Sequence, residues 1–117
     1  SEEYAKGRLL LIMTTNLDQG RPVIWDIGAI AASGAPETRE LIVDILMASA
    51  AIPGVFPPVM LDVSHAGTSY QEMHVDGGTT AQAFLYPPTF NLNRAAGQDR
   101  VIRKRVAYII RNGRLFR

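Results

Sequence analysis

The 117 residues contain no cysteine, which excludes disulfides, thiolate metal sites and a cysteine nucleophile. They contain no apolar run near the roughly 18 residues that a membrane-spanning helix needs. No signal peptide is visible, and no glycine loop of the P-loop or dinucleotide-binding type is present. Charge of one sign is also lacking: the net charge is +1, so no strong field selects a nucleic acid or an acidic surface. Histidine is scarce, with only His65 and His74. Two histidines with one neighbouring aspartate, Asp76, make a thin metal ligand set. None of these absences fixes a compartment.

What is present suits one small folded domain. The hydrophobic fraction is 47% and the charged fraction 20%, the balance of a globular protein with a core rather than of a disordered chain. Charge is unevenly placed. Seven of the twelve basic residues fall in the last eighteen positions, from Arg100 to Arg117. A solvated strand face and basic tail is the preferred reading of that cluster, and a patch for phosphate or anionic head groups is the other.

The apolar patterning alternates between strand and helix. Leu9 to Thr15 is short, apolar and partly β-branched, as expected of a strand buried on both faces. Asn16, Asp18 and Gly20 mark a turn, and Val23 to Ala31 is expected as a second strand, with Pro22 at its start. Ser33, Gly34 and Pro36 open a predicted helix over Glu37 to Ile52, whose apolar positions recur at helical spacing and which Pro53 and Gly54 end. Val55 to Val63 is expected to be extended. Ser64 to Gly67 should form a hairpin turn, and Thr68 to Asp76 the returning strand. Residues 79–100 are expected as loop with a short helical piece. Val106 to Ile110 is predicted as a final strand before an Asn112-Gly113 turn. Strands with one strong helix and no internal repeat place the chain in the α/β class.

The most informative local feature is Asp76-Gly77-Gly78. A strand end fixes a carboxylate in position, and two glycines let the backbone turn abruptly and let another chain or a substrate approach. Taken alone, the triplet is more often a turn former than a catalyst. Other candidates have bland readings as well. His74, two residues before Asp76, should share its strand face. Trp25 suits core packing, Ser49 a satisfied helix hydroxyl, and His65 a turn. Phe84, Tyr86 and Phe90 could form an apolar lip or pin a long loop.

The combination is more specific than its parts. Leu46 to Val59 reads LMASAAIPGVFPPV; a hairpin follows, and then HVDGG at His74 to Gly78. Together with TTNLDQGRPVIWD at Thr14 to Asp26 and VAYIIRNGRL at Val106 to Leu115, this resembles the second half of the patatin-like phospholipase domain over nearly the whole chain. The resemblance implies part of a three-layer α/β/α sandwich and a lipid acyl hydrolase that works with a serine and an aspartate. Asp76 would be the dyad aspartate, and Gly77 and Gly78 the rest of its motif. Substrates would be phospholipids or other carboxyl esters met at a membrane surface, with no metal or organic cofactor and no nucleic acid.

One departure from the family is large. No G-x-S-x-G occurs in the 117 residues, and no glycine-rich oxyanion loop. The expectation is that residues 1–117 form the C-terminal portion of one patatin-like domain whose nucleophile-bearing half is not in this sequence. Such a chain should be inactive alone and prone to self-association through unpaired strand edges and bare apolar faces. The rival reading is a non-catalytic patatin-like module that binds lipid or protein. A third is a shared fold with a changed function.

Overall fold

Two adjacent β-hairpins dominate the computed structural model, which describes residues 2–81 and 106–110. The chain divides into two units, Ser1–Ala81 and Gln82–Arg117. The first holds every regular element that is described: α1 (Glu2–Ala5), β1 (Leu11–Asn16), β2 (Arg21–Asp26), α2 (Ile27–Ser33), α3 (Thr38–Ser49), β3 (Val59–His65), β4 (Thr68–Asp76) and a short 3-10 turn over Gly77–Thr79. In the second, residues 106–110 are exposed and carry no regular structure. The predicted final strand there is therefore corrected. A β-branched, apolar composition suits a strand, but a strand exists only where its backbone groups are paired, and no ladder among the described residues includes these five. The Asn112-Gly113 turn and the loop carrying Phe84, Tyr86 and Phe90 lie outside the described residues.

The sheet is antiparallel throughout, in the order β2-β1-β4-β3. β1 lies inside it, and its second half is buried on residues of both faces, as expected of this strand: Met13, Thr14, Thr15 and Asn16 are all buried. Pro22, which cannot donate to a ladder, sits on the edge strand β2 opposite Thr15. The β3–β4 hairpin closes through Ala66 and Gly67, with φ of 50° and 80°. A two-residue hairpin that follows the sheet's right-handed twist favours positive φ at both central positions, and glycine adopts that conformation without strain. Ser64 and His65, expected in the turn, are instead the last residues of β3.

The second predicted strand is too long by five residues. β2 stops at Asp26, whose carboxylate accepts a hydrogen bond from the Ala29 amide at 3.0 Å and caps α2. The chain then turns helical through Ile27, Gly28, Ala29, Ile30 and Ala31, and Gly34 closes α2 at φ 69°. Ser33 and Gly34 thus end one helix rather than open the next. α3 begins at Thr38 and stops at Ser49, shorter than predicted at both ends. Residues Ala50 to Phe56 follow as a loop held by the Ile52 carbonyl, which accepts from the amides of Val55 and Phe56.

The helices pack on one face of the sheet. Ile27 of α2, Ile45 of α3 and Leu61 of β3 form the core, with Ile12, Trp25, Ile30, Leu41, Ile42 and Val59 packed around them. The register places Ile12, Trp25, Val59 and Leu61 on the same sheet face as His74 and Thr14. Ala48 of α3 is fully buried there, and its small side chain lets the helix approach the strands closely. The architecture is mixed α/β. Among the described residues, no helix is long and apolar enough to cross a membrane.

Candidate active site

β4 delivers Asp76 to the point where the sheet ends. The residue pairs with Thr14 of β1, but its amide leaves the ladder and donates to the carbonyl of Ala51, just past α3, at 3.0 Å. Its carbonyl accepts from the Thr15 hydroxyl, also at 3.0 Å. Its carboxylate is held from below: Oδ1 accepts the Gly78 amide at 2.8 Å, the side-chain-to-backbone turn that Asp forms readily. Oδ2 has no hydrogen-bond donor among the described residues. The side chain is half-buried, so that oxygen can meet a second group.

The two glycines have separate physical causes. Gly77 is buried against β1, where a Cβ would come within 2.5 Å of the Met13 carbonyl oxygen and 2.9 Å of its carbon. The turn can lie this close to the central strand only without a side chain. Gly78 is exposed, and a Cβ there would press on Asp76 Oδ1 at 3.2 Å. Neither glycine has a positive φ. Their role is close approach, of a strand backbone in one case and of the Asp76 carboxylate in the other. Thr80 caps the 3-10 turn, and its hydroxyl reaches the Gly77 carbonyl at 3.2 Å and the Thr15 hydroxyl at 3.0 Å.

Beside Asp76 on the same face lies a buried polar chain that local sequence patterns do not announce. The Trp25 indole donates to the Thr14 hydroxyl at 2.8 Å, and that hydroxyl meets His74 Nδ1 at 2.8 Å. His74 Nε2 lies 3.3 Å from Glu72 Oε2, while Gln19 donates to Glu72 Oε1 at 2.9 Å. Indole is a donor only, so Thr14 accepts from it, and the direction of the bond between Thr14 and His74 Nδ1 follows the imidazole tautomer. The Trp25 and His74 rings are tilted by 59° with centroids 5.7 Å apart.

His74 does share the Asp76 face, as expected. Both of its ring nitrogens are occupied by Thr14 and Glu72, however, and it is fully buried. Trp25 packs in the core, as its strand position suggested. Among the serines, Ser33 and Ser49 each donate to a carbonyl three residues earlier, as the Ser49 reading expected, and Ser64 pairs with Ser69 in the exposed hairpin. Among the described residues, no serine bonds to Asp76, and no cluster of three His, Cys, Asp or Glu could hold a metal ion.

Comparison with curated proteins and with solved structures finds no match. The family model for patatin-like phospholipases, which are lipid acyl hydrolases, matches residues 21–88. That span runs from β2 through the core helices and the second hairpin to the Asp76 turn and beyond it. It is more than half of the sequence, and the chain belongs to the patatin-like phospholipase family.

Proposed function

We propose that Asp76 is the base of a serine–aspartate acyl hydrolase, and that the nucleophilic serine comes from outside these 117 residues. The observation that carries the reading is the state of the Asp76 carboxylate, with Oδ1 tied to the Gly78 amide and Oδ2 without a donor among the described residues. A hydroxyl is a weak nucleophile until a base within hydrogen-bond reach takes its proton. An aspartate with one oxygen anchored presents the other in a fixed place.

The chemistry is acyl transfer in two steps. The serine oxygen attacks the ester carbonyl while its proton passes to Asp76 Oδ2. The tetrahedral adduct collapses to an acyl-serine, and the alcohol leaves with the proton that Asp76 returns. Water then attacks the acyl-serine and gives its proton to the same oxygen. The carboxylic acid departs, and the serine regains its proton. Substrates are phospholipids or other lipid esters met at a membrane surface. No step requires a cofactor.

The test compares three proteins on a short-chain chromogenic ester: the natural gene product, its Asp76→Asn variant, and the 117-residue chain alone. Asp76→Asn keeps the shape and removes the base, and its rate should fall about 10²–10⁴-fold, the usual worth of general base catalysis. The chain alone should be inactive. An Asp76→Asn enzyme as fast as the parent sinks the assignment, and an inactive gene product favours a lipid- or protein-binding module.

A further inference from the structure

Asp76 is held at three points by three different parts of the fold. Its amide is fixed by the Ala51 carbonyl, its own carbonyl by the Thr15 hydroxyl, and Oδ1 by the Gly78 amide. The first two bonds fix the direction of the Cα–Cβ bond, and the third fixes the carboxylate about its own torsions. Of the three donors and acceptors, only the Thr15 hydroxyl belongs to a side chain other than Asp76's own.

We propose that Thr15 is a positioning residue for Asp76, acting with Thr80 as a two-hydroxyl clip that sets where the second carboxylate oxygen, Oδ2, stands. The proposal rests on the reading of Asp76 as the base. Thr15 is 2% exposed, on the central strand and opposite Val75. Its hydroxyl gives its proton to the Asp76 carbonyl, and its oxygen lies 3.0 Å from the Thr80 hydroxyl. Thr80 gives its own proton to the Gly77 carbonyl or to Thr15. The pair thus bridges the carbonyls of residues 76 and 77, the two peptide groups on which the Gly78 amide and the Asp76 side chain depend. A buried hydroxyl can be satisfied by any acceptor. Here it spans the entry and the exit of one turn, joining residues more than 60 positions apart in the chain.

The experiment uses the natural gene product and four variants: Thr15→Val, Thr15→Ser, Thr80→Val and Asp76→Asn. Initial rates on a chromogenic ester give kcat and KM, and chemical denaturation gives the folded fraction. Valine keeps the shape of Thr15 and removes the hydroxyl. Its kcat should fall about 10–100-fold with KM unchanged, the cost expected of misplacing a reacting group by up to 1 Å. Serine restores the hydroxyl and should restore kcat. Thr80→Val, at an exposed position, tests the same clip should Thr15→Val fail to fold, and its kcat should fall in the same direction. If Asp76→Asn is inactive while both valine variants keep the parent kcat, the clip is wrong and the base assignment stands. A Thr15→Val loss that serine does not restore reflects packing and also overturns the clip. If Asp76→Asn is as active as the parent, the base assignment fails and the clip falls with it.

Discussion

Replacing Gly77 with alanine puts the close approach of the Asp76 turn and the central strand to a direct test. The added Cβ would lie 2.5 Å from the Met13 carbonyl oxygen, whereas ordinary contact begins at 3.4 Å, so the two must separate by about 0.9 Å (3.4 − 2.5). Both nearest atoms belong to the backbone of β1, which is paired on both sides and cannot swing away as a side chain would. Overpacking of this kind costs about 1–3 kcal/mol. No backbone penalty adds to it, because Gly77 does not have a positive φ. The movement falls on the turn, and the turn carries the Gly78 amide that holds Asp76. Displacing the carboxylate by close to 1 Å should slow ester hydrolysis by about 10²-fold. Gly78→Ala is the internal contrast. Its Cβ would meet only the Asp76 carboxylate, at an exposed position, so stability should change by no more than about 0.5 kcal/mol while the rate falls. Denaturation midpoints and ester-hydrolysis rates of the natural gene product read both quantities. A Gly77→Ala protein with the parent's midpoint and rate refutes the argument, since it would show that the turn does not need its closeness to Met13.

Two further perturbations separate structure from chemistry. His74→Gln should cost about 1–3 kcal/mol by breaking the buried bond between the Thr14 hydroxyl and the imidazole, with only Trp25 left to Thr14, yet leave the specific rate of the folded enzyme unchanged. A rate loss as large as that of Asp76→Asn, with stability intact, would put histidine in the reaction after all. The isolated 117-residue chain should self-associate in sedimentation, because Leu46, Met47, Ile52, Val55 and Phe56 are exposed together on α3 and the loop after it. Paired Leu46→Lys and Met47→Lys changes should shift it towards monomer. A monodisperse, cooperatively unfolding parent chain contradicts that expectation.

Much of the sheet was legible because its signals are local. β4 was expected over Thr68 to Asp76 and has those bounds, since an alternating segment between Gly67 and Gly77 leaves little choice. The α2 error has a definite source. Val23 to Ala31 contains enough β-branched and aromatic residues to read as one strand, and Gly28 looked like an irregularity within it. The helix start was nonetheless marked by Asp26, an N-cap three residues before the amide it binds. Gly28 has a packing reason, since a Cβ would run into the Tyr4 ring, and that contact with α1 is invisible from sequence. The VAYII segment shows the reverse case, in which composition favoured a strand but pairing decides.

The site was legible only where it is a motif. Asp76 and its glycines stand out as a triplet, but the triplet suggested that both glycines keep the site open, and only Gly78 is exposed. The hydroxyls that surround Asp76 carry no local pattern, because each acts on a residue 60 or more positions away. One signal could have found them. Thr14, Thr15 and Asn16 are consecutive polar residues ending an apolar strand, and a strand buried on both faces must satisfy such groups by hydrogen bonds. Two of the three do so around Asp76 and His74. The third, Asn16, caps the turn at Gln19 through its oxygen and leaves its buried amide nitrogen without a partner among the described residues. The same arrangement bears on the proposal that Asp76 serves as the base without a histidine. His65 shares that face but stands at the far, exposed end of β3 beside the hairpin turn, and the two nitrogens of His74 are committed to Thr14 and Glu72. Among the described residues, Asp76 Oδ2 is without a donor beside the turn, where the proposed serine hydroxyl would have to reach it.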